Sequence, residues 1–100
     1  MSTTSASSDL VIVLSTFPNA EEAGDVARSL VSEALCACVN IVPGVQSVYQ
    51  WNNEVVNRPE VLCVIKTHRD RHAELLDRLG ELHPYDVPEM VTLGAEAVNE

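Results

Sequence analysis

Residues Leu10 to Thr16 read LVIVLST, an unbroken aliphatic and β-branched run of the kind found in strands covered on both faces. The period then changes. Across FPNAEEAGDVARSLVSEALC, apolar Ala23, Val26, Ala27, Leu30, Val31, Ala34 and Leu35 recur at i, i+3, i+4 and i+7, the stripe of an amphipathic helix. Asn19 with Glu22 three residues on makes an Asx version of the capping box, and acidic residues crowd the first turn, where the helix dipole favours them. CVNIVPGVQSVYQW returns to β character but is interrupted by Pro43-Gly44, which predicts a long strand that bends there. NNE is a turn signal, though not the Asn-Gly of the tightest hairpins.

After VVNRPE comes VLCVIKT, Val61 to Thr67, a second fully apolar strand. Leu75, Leu76, Leu79 and Leu82 form the stripe of a second helix, with Thr67 and Asp70 as its expected cap. Pro84 disfavours helical geometry at His83, so that helix ends there, and PEMVTLG is the last strand.

The order β-α-β-β-α-β predicts an α+β, ferredoxin-like sandwich: a four-stranded antiparallel sheet with both helices on one face. The other face lacks cover, which favours self-association. Residues 1–9 (MSTTSASSD) read as a flexible polar tail, and residues 10–100 as a single domain, because 100 residues leave no room for a second core.

Charge narrows the partners. Fifteen acidic residues against six Lys plus Arg give a net charge of −9, which repels phosphate backbones and anionic membranes, so neither nucleic acid nor membrane is expected. No stretch approaches the roughly 20 apolar residues of a membrane span. The N-terminus has neither the basic nor the apolar region of a secretory signal. Cys36, Cys38 and Cys63 lie in apolar stretches, so reduced, buried thiols in the cytoplasm are expected.

Few groups suggest chemistry. His68 and His72 stand four apart, but the sequence between them is RDR, without a metalloprotease glutamate. Cys36-Ala-Cys38 has no second cysteine pair to complete a zinc site. With no GxGxxG, P-loop or serine elbow, the chain is read as non-enzymatic. The densest cluster is HPYDVPEMV, where His83, Tyr85 and Glu89 bring imidazole, phenol and carboxylate to one corner. That set suits a cation, a small molecule or a stiff structural turn, and residue chemistry alone does not choose.

LVIVLSTFPNAEEA, ALCACVNIVPGVQSVYQWNNEV, VLCVIKT and ELHPYDVPEMVTL together resemble the CutA divalent-cation tolerance family, over about Leu10 to Leu93. The resemblance implies a PII-like homotrimer whose bent second strand reaches neighbouring subunits, and a role in metal-ion response with copper, zinc or another divalent ion as ligand. It implies metal ligands at the end of the first strand and just before the Pro-Tyr; here Ser15, Leu82 and His83 stand there, so one imidazole remains, with Glu89 nearby. The implied site is therefore weak. The resemblance also implies an intersubunit cleft around Asn40, Trp51, Lys66, His83, Tyr85 and Glu89, as in a PII-like small-molecule sensor. Family members usually continue past the fourth strand with a small strand and a short helix, whereas this sequence ends at GAEAVNE. Either this sequence stops short of that cap, or the cap is absent and the trimer edge is expected to be more open.

Overall fold

The computed structural model describes residues 4–6 and 9–99. The elements run β1 (Thr4–Ala6), β2 (Leu10–Phe17), α1 (Ala20–Ser32), β3 (Cys38–Trp51), β4 (Glu54–His68), a 3-10 turn (Arg69–Arg71), α2 (His72–Leu82), β5 (Val91–Gly94) and β6 (Ala97–Asn99). The main sheet is antiparallel throughout, in the order β3-β4-β2-β5, as expected for the ferredoxin-like arrangement. Of the expected tail, residues 1–3, 7 and 8 lie outside the described residues. Its residues 4–6 form β1, paired antiparallel with β6.

Local chemistry fixes α1 at both ends. The Asn19 side chain accepts from the Glu22 backbone N–H at 2.8 Å and donates to the Glu22 carboxylate at 2.9 Å. At the other end Ala34 adopts a positive φ of 59°, with Ala34 N–H on the Val31 carbonyl and Leu35 N–H on the Leu30 carbonyl. This is a Schellman turn with alanine where glycine is usual. The helix therefore stops short of the expected stripe: Ala34 belongs to the turn, and Val31 is 44% exposed.

α2 departs from expectation at its start. Thr67 is not a cap. It is a buried residue of β4 whose hydroxyl donates to the Leu35 carbonyl at 2.7 Å, and His68 is the residue that precedes the 3-10 turn instead. The far end is as read, with Leu82 the last helical residue before His83-Pro84. Arg78 binds both Glu33 carboxylate oxygens, at 2.8 and 3.0 Å, tying α2 to the end of α1.

The core lies on one side of the sheet. Val13 and Phe17 of β2 and Val61, Cys63 and Ile65 of β4 pack with Ala23, Val26 and Leu30 of α1 and Leu75 and Leu79 of α2. All five strand residues are odd-numbered, and the register pairs odd with odd across β2 and β4, so both helices cover the same face. The even positions form the other face. Ile12, Leu14, Leu62 and Val64 are only half-buried there, and Val42, Val91 and Leu93 are exposed.

β3 and β4 continue beyond the sheet as a two-stranded arm. VVNRPE, left unassigned by the pattern, belongs to β4, with Pro59 opposite Gln46 where no third strand requires its missing N–H. Asn52 and Asn53, at φ 50° and 65°, close a two-residue hairpin, tighter than the sequence suggested. At Pro43-Gly44 the register slips: Val42 pairs with Leu62 but Val45 with Glu60. The extra residue is a β-bulge, with Gly44 at φ 78°. It reverses parity along β3, so Ser47, Tyr49 and Trp51 join Glu60, Arg58 and Val56 on the uncovered face.

Candidate functional site

Pro84 forces the chain out of α2, and His83, in extended backbone, swings its ring against the end of β2. The imidazole is 7% exposed and stacks on Phe17, with ring centroids 4.2 Å apart and planes 18° from parallel. Its Nδ1 accepts the Tyr85 backbone N–H at 3.1 Å. In the neutral ring the proton then sits on Nε2, which faces the Ser15 hydroxyl at 3.1 Å. The Ser15 hydroxyl donates onward to the Glu89 carbonyl at 2.8 Å. Burial is the main force pushing the His83 pKa below its ordinary 6.5, opposed by a backbone hydrogen bond at Thr16 and by the charges of Glu60 and Glu22.

The Ser15–His83 contact is not a nucleophilic dyad. The nitrogen facing the hydroxyl carries a proton, Nδ1 is held by a backbone donor in place of a carboxylate, and Ser15 is 2% exposed. Nor does the donor set fit a tight copper site. An ion at Nε2 has to displace Ser15, finds no thiolate, and meets Glu89 through its carbonyl while the carboxylate side chain is exposed.

A second network adjoins the first. The Tyr85 ring lies 5.0 Å from that of His83, and its hydroxyl donates to the Glu60 carboxylate at 2.6 Å. Burial alone would raise the Glu60 pKa. Hydrogen bonds from Tyr85, Ser47 and Thr16, with the charge of Arg58, outweigh it and hold the carboxyl below its ordinary value. Tyr85 is pushed up to about 12, by burial first and by the Glu60 bond next.

Ser15, His83, Tyr85 and the Glu89 backbone are thus brought together, whereas Asn40, Lys66 and Trp51 are not. Asn40 and Lys66 sit at even-register positions of the uncovered face, opposite the side where His83 packs. Trp51 lies at the arm tip, paired with Glu54, six residues along β4 from Glu60 and so about 20 Å away. Within one chain the expected cleft does not form. The other histidines separate too: His68 binds the Asp70 carboxylate at 2.7 Å, and His72 the Thr92 hydroxyl at 2.8 Å. Among the described residues no three His, Cys, Asp or Glu side chains are grouped to hold a metal ion. The residue missed from sequence is Glu60. Its signal was an even spacing to Lys66 along a β-rich run, which Pro59 immediately before it obscured.

These features define a class: an α+β, PII-like subunit with one bare sheet face, a projecting arm, and a polar corner where α2 ends. The profile of the family described as CutA1 divalent ion tolerance protein matches residues 11–100. A divalent-cation tolerance protein CutA from Thermus thermophilus is 49% identical over 82 residues, which are 82% of this chain and 80% of that protein. A chloroplastic CutA of Arabidopsis thaliana is 43% identical over 83 residues, covering 83% of this chain and 46% of that longer protein. A solved structure of a divalent cation tolerance protein, also from Thermus thermophilus, superposes with a TM-score of 0.85 at 46% identity, covering 90% of this chain and 87% of the other. The chain belongs to the CutA divalent-ion tolerance family.

Proposed function

We propose that the chain serves divalent-cation tolerance as a non-enzymatic homotrimer in which the bare sheet face is buried between subunits. The observation that carries this reading is the row Ile12, Leu14, Leu62, Val64, Val91 and Leu93, an apolar surface with no helix over it. Such a surface on a 100-residue chain is a large unused source of burial. The arm, a two-stranded ribbon too thin to be stable alone, gains its support in the same way, by lying on a neighbour. Copper or zinc binds weakly at the His83–Glu89 corner, because entry there sacrifices the Ser15 hydrogen bond. The reading places the protein in the cytoplasm, where a reducing milieu keeps Cys36, Cys38 and Cys63 as free thiols; no helix among the described residues is long and apolar enough to cross a membrane. Sedimentation tests the assembly, and calorimetry with copper and zinc tests the ligand.

One observation favours a second reading, a PII-like small-molecule sensor. The uncovered face of the arm carries a cavity walled by Tyr49, Trp51, Val56 and Arg58, beside the Glu60–Tyr85 network. Aromatic walls with a single fixed charge suit an organic ligand better than a bare ion.

A further inference from the structure

We infer that Glu60 is a latch that fixes the angle at which the β3–β4 arm leaves the body, and that this angle decides how well the arm lies on a neighbouring copy. The inference rests on the assembly reading above and adds to it a means of regulation. The arm begins where the sheet loses its third strand. Phe17, the last residue of β2, pairs with Val61, and beyond that rung β3 and β4 run on alone from Val45–Glu60 to Trp51–Glu54, a ribbon about 20 Å long. The Pro43-Gly44 bulge interrupts β3 at the same level, with Gly44 at φ 78°, so the ribbon bends most readily at its base. A small change of angle there becomes a large displacement at Trp51.

Apolar packing does not hold this joint. From Val45 to Glu60 the one buried residue is Glu60 itself; Val45, Ser47 and Val56 are half-buried, and the rest are exposed. A buried carboxylate grips by the direction of its hydrogen bonds, where an apolar side chain would grip by area alone. Glu60 takes one donor from each piece that meets at the base: Thr16 from the end of β2, Tyr85 from the corner after α2, at 2.6 Å, and Ser47 from the arm. The charge of Arg58, two residues away on the same face, adds to the grip. All of these contacts lie within one chain, so a neighbour laid over the face does not have to break them.

The latch is also joined to the corner. The His83 ring accepts the Tyr85 N–H on Nδ1 at 3.1 Å and is hydrogen-bonded to the backbone of Thr16. The hydroxyls of those same two residues hold Glu60. A displacement of the ring therefore moves both of the body's donors together, and with them the arm.

Trp51 is the single tryptophan of the chain and stands at the arm tip, so its fluorescence anisotropy reports on the arm alone. The test compares the full chain with a Tyr85→Phe, Thr16→Val double variant, which removes both body donors and keeps the side-chain shapes. Leu79→Ala, which loosens the core without touching Glu60, is the control. Each is followed by amide hydrogen exchange, Trp51 anisotropy and sedimentation equilibrium. In the double variant, arm amides from Val45 to Arg58 are expected to exchange at least about tenfold faster, while those of Val61 to Thr67 keep their parent rates. Trp51 anisotropy falls, and the assembly dissociates at a chain concentration at least about tenfold higher. Arm exchange that stays at the parent rate overturns the latch. So does acceleration spread equally over arm and core, as in Leu79→Ala, because Glu60 then only contributes to general stability. Faster arm exchange with unchanged dissociation overturns the link between arm angle and neighbouring copies. A parent that sediments as a single chain overturns the assembly reading, and the latch then stands or falls on the arm exchange alone.

Discussion

The Tyr85 hydroxyl donates to the Glu60 carboxylate across 2.6 Å, joining the corner after α2 to the base of the β3–β4 arm. The two residues are 25 apart in sequence, and each changes the other's titration: the bond lowers Glu60 and raises Tyr85. Hydrogen bonds to a charged partner contribute about 2 kcal/mol. Tyr85→Phe is expected to lower unfolding free energy by about that amount in a denaturant titration. In an alkaline ultraviolet titration of the parent, one tyrosine ionises only near pH 12. Unchanged stability in Tyr85→Phe, with no late phenol in the parent, removes the link.

His83 and Glu60 make the fold sensitive to acid in the same direction. The folded His83 pKa lies below 6.5, so the unfolded chain binds more protons once pH drops into that window. Stability is complete above 6.5 and declines as pH falls below it, because a ring protonated at Nδ1 can no longer accept from Tyr85 N–H. Glu60, depressed below 4.5, adds a second loss as pH falls beneath that value. Thermal melts across pH 7 to about 4 are expected to show both phases, and His83→Gln to remove the upper one. A melt independent of pH across the upper window contradicts the buried neutral imidazole.

The pattern of residues made much of this legible. Asn19 and Glu22 announced the start of α1, Pro84 the end of α2, and Pro43-Gly44 the irregularity in β3, because each acts through local backbone chemistry. Thr67 misled because Thr-x-x-Asp reads equally well as a cap and as the buried end of a strand, and β4 won by pairing Thr67 with Val11. Within one chain, parity sets Lys66 and His83 on opposite sides of the sheet, so any cleft that joins them lies between subunits. Ser15 pairs with Cys63, and Lys66 is of opposite parity to Cys63, so only strand register, a tertiary quantity, separates the two faces. Glu60 was hidden because its partners, Tyr85, Ser47 and Thr16, come from three distant segments.

Ala34 offers a stabilising change. It is exposed and holds φ 59° at the Schellman position, a conformation that disfavours a β-carbon by about 1 kcal/mol. Ala34→Gly is expected to raise unfolding free energy by about that amount, offset in part by the greater freedom of glycine in the unfolded chain. A destabilised Ala34→Gly chain shows that the turn is held by something other than backbone preference.

Metal binding at the corner has its own signature. Copper or zinc is expected to give weak calorimetric heat at neutral pH. Ser15→Cys, which supplies the missing soft ligand beside His83 Nε2, is expected to strengthen copper binding by at least about tenfold. Heat unchanged in His83→Ala places the ion elsewhere.

The most direct test of the account is the solution mass. If the bare face of Ile12, Leu14, Leu62 and Val64 is an intersubunit core, sedimentation equilibrium returns three times the 10.9 kDa chain mass, and Leu14→Glu reduces it by dissociating the assembly. A folded parent chain that sediments at 10.9 kDa contradicts the trimer and the role built on it.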